Sequence, residues 1–211
     1  MARIRCWHCS NTQTPAFFCT SCGTVQNLPG NADYLDVLGL PSHPAIDTEA
    51  LQETYYALSR RLHPDRFATG SPEELQASVS STAFLNSAWK TLRDPEARGR
   101  WWLARQAEAL GRDNNSVPPA IAALVFGVQE ELDEAKSSDA AAVSRIEKIR
   151  ASLEARRGVD LAALEAQLAD WPADAPAATE KSQLADLKSR LAELSYLATL
   201  RRDVTRALEE L

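Results

Sequence analysis

The 211-residue chain has no run of about 18 apolar residues, which argues against a helix that crosses a membrane. No stretch alternates strongly with period two, so a half-buried sheet is not expected. Cationic excess is missing as well: 23 Lys and Arg stand against 29 Asp and Glu, a net charge of -6. That balance argues against general nucleic-acid binding. Glycine is scarce, with eight residues, and no Gly/Phe-rich linker occurs. Polar and cysteine-bearing residues follow Met1 at once, so neither a secretory signal nor a transit peptide is expected. A bacterial cytoplasm is then the expected location, with the mitochondrial matrix as the alternative for a processed chain. What is present is 45% hydrophobic and 25% charged content, rich in Ala, Leu, Glu and Arg. That composition predicts one or two domains that are helical throughout.

The four cysteines all fall within the first 22 residues. Cys6-Trp7-His8-Cys9 and Cys19-Thr20-Ser21-Cys22 are two CxxC pairs separated by nine residues. Each pair can wrap a turn so that two thiolates converge on one ion, and two pairs complete a tetrahedral shell. Structural Zn2+ suits four soft thiolates, and metal binding would drive the folding of so small a module. Two disulfides suit a chain without a secretion signal poorly. Redox or iron chemistry at the CxxC pairs is the other alternative. With four sulfurs filling the shell, His8 and His43 are expected to be bystanders. Thr24 to Asn31 reads as a short linker, punctuated by Pro29-Gly30-Asn31.

A short helix near Asp33-Tyr34-Leu35 ends at Gly39 and Pro41. A longer one starts near Asp47 or Thr48 and carries Leu51, Tyr55, Leu58 and Leu62 at helical spacing. Arg60 and Arg61 lie in its last turn, where cations suit the helix dipole. Pro64 then disfavours helix at His63. The next helix opens at Ser71-Pro72-Glu73-Glu74, with Ser71 as N-cap and Pro72 at the first helical position. His63-Pro64-Asp65 therefore lies on an exposed connection between two helices, flanked by arginines.

From Pro72 to Leu92 the periodic apolar positions are Leu75, Val79, Ala83 with Leu85, Ala88 with Trp89, and Leu92, with Phe84 and Trp89 expected in the core against Tyr55, Leu58 and Leu62. A further helix should run from Pro95 to about Leu110, carrying Trp101, Trp102 and Leu103, and stop at Gly111. Packing between domains is the expected task of its tryptophans. After the polar stretch Arg112 to Val117, three helical stretches follow, about Pro119–Ser137, Asp139–Ala169 with a break near Gly158, and Thr179–Leu211. Short connections favour antiparallel neighbours and a three-helix bundle. Its core stripes are Ile121, Leu124, Val128 and Leu132; Val143, Ile146, Ile149, Leu153, Leu161, Leu164 and Leu168; and Leu184, Leu187, Leu191, Leu194, Val204, Leu208 and Leu211. Phe126 lies about 200° round the helix from Leu124, and Tyr196 is offset likewise from Leu194. Both should be exposed aromatics, ordinary material for a protein-binding patch.

The His-Pro-Asp connection between two helices resembles the J domain, the co-chaperone module that stimulates ATP hydrolysis by DnaK-type chaperones. Asp33-Tyr34-Leu35-Asp36-Val37-Leu38-Gly39-Leu40 resembles its first helix, and Asn86-Ser87-Ala88-Trp89-Lys90-Thr91-Leu92-Arg93-Asp94-Pro95 the end of its third. Together with Leu62 to Ser71 and Glu130-Glu131-Leu132-Asp133-Glu134, these segments make residues 32 to 211 resemble HscB, the J-type co-chaperone dedicated to iron–sulfur cluster assembly. The resemblance implies an all-α fold: a J domain at 32–111 including a connecting helix, and a C-terminal three-helix bundle at 117–211, in an L shape. A small four-cysteine zinc-binding module at 1–28 matches a subset of the family.

The resemblance also implies a non-enzyme with no catalytic residues. His63, Pro64 and Asp65, with Arg60, Arg61 and Arg66, would contact an HscA/DnaK-type ATPase. Ala122, Ala123, Phe126, Gly127, Glu130, Glu134 and Tyr196 would bind the iron–sulfur scaffold IscU. Ala122 and Ala123 are smaller than the apolar residues usual there, and Gly127 replaces a common acidic residue. Cys6, Cys9, Cys19 and Cys22 would hold zinc. The main alternative is a general J-domain co-chaperone in protein folding. Self-association through the zinc module is left open.

Overall fold

A computed structural model describes residues 3–106, 118–134, 140–172 and 177–210. The expected stop at Gly111, the polar stretch 112–117 and the expected ends at Ser137, Asp139 and Leu211 lie outside them. The chain divides into two compact units at Asp94 and Pro95. The element order is β1 (Ile4–Arg5), β2 (Thr12–Gln13), α1 (Tyr34–Leu38), α2 (Thr48–Leu62), α3 (Pro72–Arg93), α4 (Pro95–Arg105), α5 (Ala122–Glu134), α6 (Ala140–Ala169) and α7 (Ala177–Glu210). One-turn 3-10 segments at Pro64–Phe67 and Pro119–Ile121 precede α3 and α5.

In the first unit each helix start is set by a side-chain cap. Asp33 accepts the amides of Leu35 and Asp36, and Asp47 accepts those of Glu49 and Ala50. Ser71 and Glu74 form a reciprocal capping box with Pro72 inside it. Gly39 closes α1 at φ 68, a conformation that costs glycine nothing. Each such cap contributes about 1 kcal/mol. α2 and α3 form the main helix pair. Trp89 stacks on Tyr55 at 5.0 Å, as the periodic reading expected. Phe84 packs on the cluster that holds Leu62 and sits edge-on to both Tyr34 and Phe17, at 5.3 and 6.0 Å.

The buried face of α3 differs from the expected one. Leu75 and Val79 are exposed, and so is Ala83. Ala77, Ser78 and Ser81 are fully buried in their place, continuing to Leu85, Ala88 and Leu92. The small side chains let neighbouring backbone approach, and both serines donate to backbone carbonyls. Periodicity of large apolar residues carries no signal for such a face.

The cysteine-bearing segment lies in the same compact unit as α1 to α3. Antiparallel β1 and β2 pair Ile4 with Gln13 and Arg5 with Thr12, a strand pair that composition did not predict. Phe17, Val25 and Leu28 share one core cluster with Val37, Leu62, Ala77 and Leu85. Burying side chains of this size stabilises by about 1.5–3 kcal/mol each, so the segment and the helices stabilise one another.

In the second unit α6 and α7 form the longest pairing, and α4 packs on both. The expected three-helix bundle therefore has a fourth member: the connecting helix, expected with 32–111, lies in this unit. Asp94, in extended conformation before Pro95, separates it from α3. Trp102 is buried edge-on against Trp171 at 5.9 Å, within the unit rather than between domains. Arg98, 1% exposed, reaches Glu165 at 2.6 Å. Arg100 bridges Glu96 and Ser195, and Arg157 also reaches Glu96. Gly99 brings α4 close to α7, since a Cβ there would meet Leu187 and Leu191 at 3.4 Å.

The main cluster of the bundle joins Val128, Ile146, Leu153, Leu197, Leu200 and Val204. The helix expected to break near Gly158 is continuous from Ala140 to Ala169. Gly158 costs about 1 kcal/mol in helix propensity, and the Arg156–Asp160 pair at 2.9 Å spans the weak point.

Candidate functional sites

The His-Pro-Asp segment begins where α2 runs out. Leu62 carries a carbonyl that the helix leaves over, because the Arg66 amide turns instead to the His63 carbonyl at 3.0 Å. Two α3 hydroxyls take that role: Ser78 Oγ donates to Leu62 O at 2.5 Å and Thr82 Oγ1 at 3.1 Å. His63 leaves helical geometry at φ -56, ψ 128, and Pro64–Phe67 forms the 3-10 turn. The Gly70 amide then donates to Phe67 O at 3.0 Å. Leu62 and Phe67 both pack on the core cluster, which pins the two ends of the turn. Between them the His63 and Asp65 side chains are 57% and 90% exposed.

His63 Nδ1 accepts the Asp65 amide at 3.3 Å. The neutral ring therefore carries its proton on Nε2. The Asp65 carboxylate lies 3.5 Å from the same nitrogen, a contact that charging of the ring would strengthen. Arg60, Arg61 and Arg66 are exposed around this turn. Arg61 also stacks over the Phe18 ring at 4.3 Å, tying α2 to the cysteine-bearing segment.

The four cysteines converge. Their sulfurs all lie within 4.8 Å of one another, with Cys6–Cys22 at 3.7 Å and Cys9–Cys19 at 3.6 Å. Sulfurs about 2.3 Å from a tetrahedrally bound zinc stand about 3.8 Å apart. The donor set thus fits the ion, and the two-disulfide alternative is not what the structure contains. Two matching knuckles build the site. In each, the residue after the second cysteine donates its amide to the first cysteine's carbonyl: Ser10 to Cys6 at 3.0 Å and Gly23 to Cys19 at 2.9 Å. Both residues take positive φ, 62 and 74.

The thiols divide in acidity. The Thr24 hydroxyl and amide pull Cys22 down to about 5. The Asn11 amide pulls Cys9 down, but loss of water and the three neighbouring sulfurs outweigh it and push that thiol up to about 11. Burial pushes Cys6 up, and the amides of Cys9 and His8 outweigh burial, leaving it lowered. Four adjacent thiolates repel one another, and a divalent cation removes that conflict.

Gln26, 1% exposed, supports this site from behind. Its side-chain amide donates to Cys6 Sγ at 3.4 Å and to Thr24 O at 2.8 Å. Its own carbonyl accepts from Ser81 Oγ at 2.6 Å. Neither Gln26 nor the α3 serines stood out in the sequence, where the only available signal was polar residues at helical spacing beside Leu85.

On the second unit, Phe126 is 73% exposed, as its helical offset predicted. Ala123, Gly127 and Glu130 are exposed beside it on α5, and Ala122 is half-buried. The Glu134 side chain lies outside those described. Ala123 and Gly127 also line a groove of about 280 Å3 with Leu124, Val128, Glu131, Ile149 and Ser152. Tyr196, expected to be exposed, is half-buried. Leu194, Leu197 and Leu200 are all buried on α7, a face widened by packing against α4 as well as α5 and α6.

No protein-family model matches the chain. Two solved structures are similar to it along most of its length. The crystal structure of human co-chaperone protein HscB covers 96% of this chain and 97% of its own, with TM-score 0.71 and 24% identity. The chaperone HscB from Vibrio cholerae covers 84% of this chain and 98% of its own, with TM-score 0.61 and 25% identity. The chain thus has the HscB fold, and its N-terminal cluster of four cysteines fits a zinc module.

Proposed function

We propose that this chain is a J-type co-chaperone of iron–sulfur cluster assembly. In this reading the first unit presents His63, Pro64 and Asp65 to an HscA/DnaK-type ATPase, while α5 and Tyr196 of the second unit hold an IscU-type scaffold. The carrying observation is a pinned turn with exposed His63 and Asp65 on a fold shared with a human co-chaperone across 96% of the chain.

The mechanism follows from preferential binding. A pinned turn meets its partner with little ordering cost. Binding one ATPase state better than the other shifts that partner toward hydrolysis. The exposed Arg60, Arg61 and Arg66 steer encounter with an acidic surface. Phe126 and the groove beside it, lined by Ala123, Leu124 and Gly127, offer the scaffold an apolar anchor and a recess. Cys6, Cys9, Cys19 and Cys22 hold Zn2+, which supplies structural cross-linking and no reaction chemistry. The chain itself is not an enzyme.

The test is ATP turnover by a DnaK-type chaperone, with and without scaffold, using His63→Gln as control. Stimulation by the wild type, raised further by scaffold and abolished in the variant, supports the proposal. Stimulation indifferent to the scaffold moves the assignment to a general J-domain co-chaperone. No stimulation with any chaperone tested refutes the role of the turn.

A further inference from the structure

The cysteine cluster and the His-Pro-Asp turn are joined through one continuous set of contacts. Gln26 donates to Cys6 Sγ, and its carbonyl accepts from Ser81 on α3. One helical turn toward the start of α3, Ser78, and one residue past Ser81, Thr82, both donate to Leu62 O at the head of the turn. Phe17, Val25 and Leu28 of the cysteine-bearing segment share a core with Leu62, and Phe67 packs on the same cluster. Arg61, two residues before His63, lies over Phe18. Both anchors of the turn therefore belong to a core cluster to which the cysteine-bearing segment contributes.

That segment has little to hold it without an ion. Its strands are two residues long, and its apolar anchors, Phe17, Val25 and Leu28, all follow the first CxxC pair, so the ion is what ties the two cysteine knuckles together. If it unfolds, Leu62, Ala77 and Leu85 lose apolar cover, and the buried Ser81 hydroxyl loses its acceptor. We propose that metal occupancy of the four-cysteine site controls the order of the His63–Gly70 turn, making the metal a conformational lock on the chaperone-facing surface. The inference rests on the metal-binding reading above and deepens it. Linkage is reciprocal: weakening the α3 contact must in turn loosen the metal.

The test uses the full chain, loaded with zinc alone or stripped with a chelator, and reads hydrogen exchange residue by residue. Stripping should speed exchange of the Arg66, Ala68 and Gly70 amides by about tenfold or more, while α6 and α7 amides hold their rates. Zinc transfer to a chromophoric chelator should be about threefold faster from Ser81→Ala than from wild type, with Ser87→Ala, an exposed change on the same helix, as the unaffected control. Zinc uptake with faster exchange confined to residues 3–28 overturns the lock alone. Equal release from the two serine variants overturns it too. A chain that takes up no zinc overturns the metal-binding reading and the lock together.

Discussion

The Leu62 carbonyl can be tested by removing its two donors in turn. Ser78→Ala deletes the shorter bond, and Thr82→Val the longer one. A hydrogen bond of this kind contributes about 1 kcal/mol net. Alanine is the better helix former by about 0.5 kcal/mol, so Ser78→Ala should cost only about 0.5 kcal/mol. Thr82→Val changes propensity little and should cost about 1 kcal/mol. In either single variant the carbonyl keeps one donor. In the double variant it keeps neither, and a buried carbonyl without a partner costs about 1–3 kcal/mol. The double variant should therefore lose about 2.5–4.5 kcal/mol, with a coupling of at least about 1 kcal/mol beyond the two singles. Urea unfolding of the whole chain, followed by NMR signals of the first unit, measures all four proteins. The Arg66 amide should also exchange faster in the double variant than in either single. Additivity within about 0.3 kcal/mol would refute the reasoning, because it would mean that water replaces the hydroxyls and that the carbonyl is not in a dry contact.

Acidification should release the metal. The ion binds thiolates, and each sulfur that takes up a proton loses its bond to it; a chromophoric chelator should therefore capture zinc progressively faster as the pH is lowered, and release that does not respond to acid would contradict the thiolate site. Phe126→Ala should leave stability unchanged, since the ring is 73% exposed, and should weaken scaffold binding about tenfold by calorimetry; an unchanged affinity would remove Phe126 from the interface. Glu165→Ala should cost the second unit about 1.5 kcal/mol, because it strips the partner from buried Arg98, whereas Arg98→Met should cost less than Arg98→Ala; urea unfolding ranks the three.

The local signals were legible because each is decided by a few adjacent residues. Ser71 caps the helix that it was expected to cap, and Asp33 and Asp47 cap theirs at the expected starts. The Cys pairs converge as their spacing required. The departures are tertiary. A stripe of large apolar residues on α3 pointed to Leu75 and Val79, yet the face that is buried is the one whose serines find carbonyls of Leu62 and Gln26. Those acceptors lie 16 and 55 residues away, outside any window that periodicity can see. Tyr196 was misplaced for a similar reason. Its offset from Leu194 is the same as that of Phe126 from Leu124, but α7 is covered on more sides than α5.

The connecting helix, placed with 32–111 by the family resemblance, belongs to the second unit. Its first turn and a half, Pro95-Glu96-Ala97-Arg98-Gly99-Arg100, is polar. In the structure each of its charges has a partner on α4, α6 or α7: Arg98 on Glu165, Arg100 on Glu96 and Ser195, and Glu96 on Arg157. Gly99 supplies the close approach that brings them within reach. A buried cation is tolerated only where its partner is fixed, so this set makes α4 part of the second unit rather than a tether. Ser195, which receives Arg100, immediately precedes Tyr196. The connecting helix thereby helps to hold the stretch of α7 that carries the second aromatic of the proposed scaffold surface.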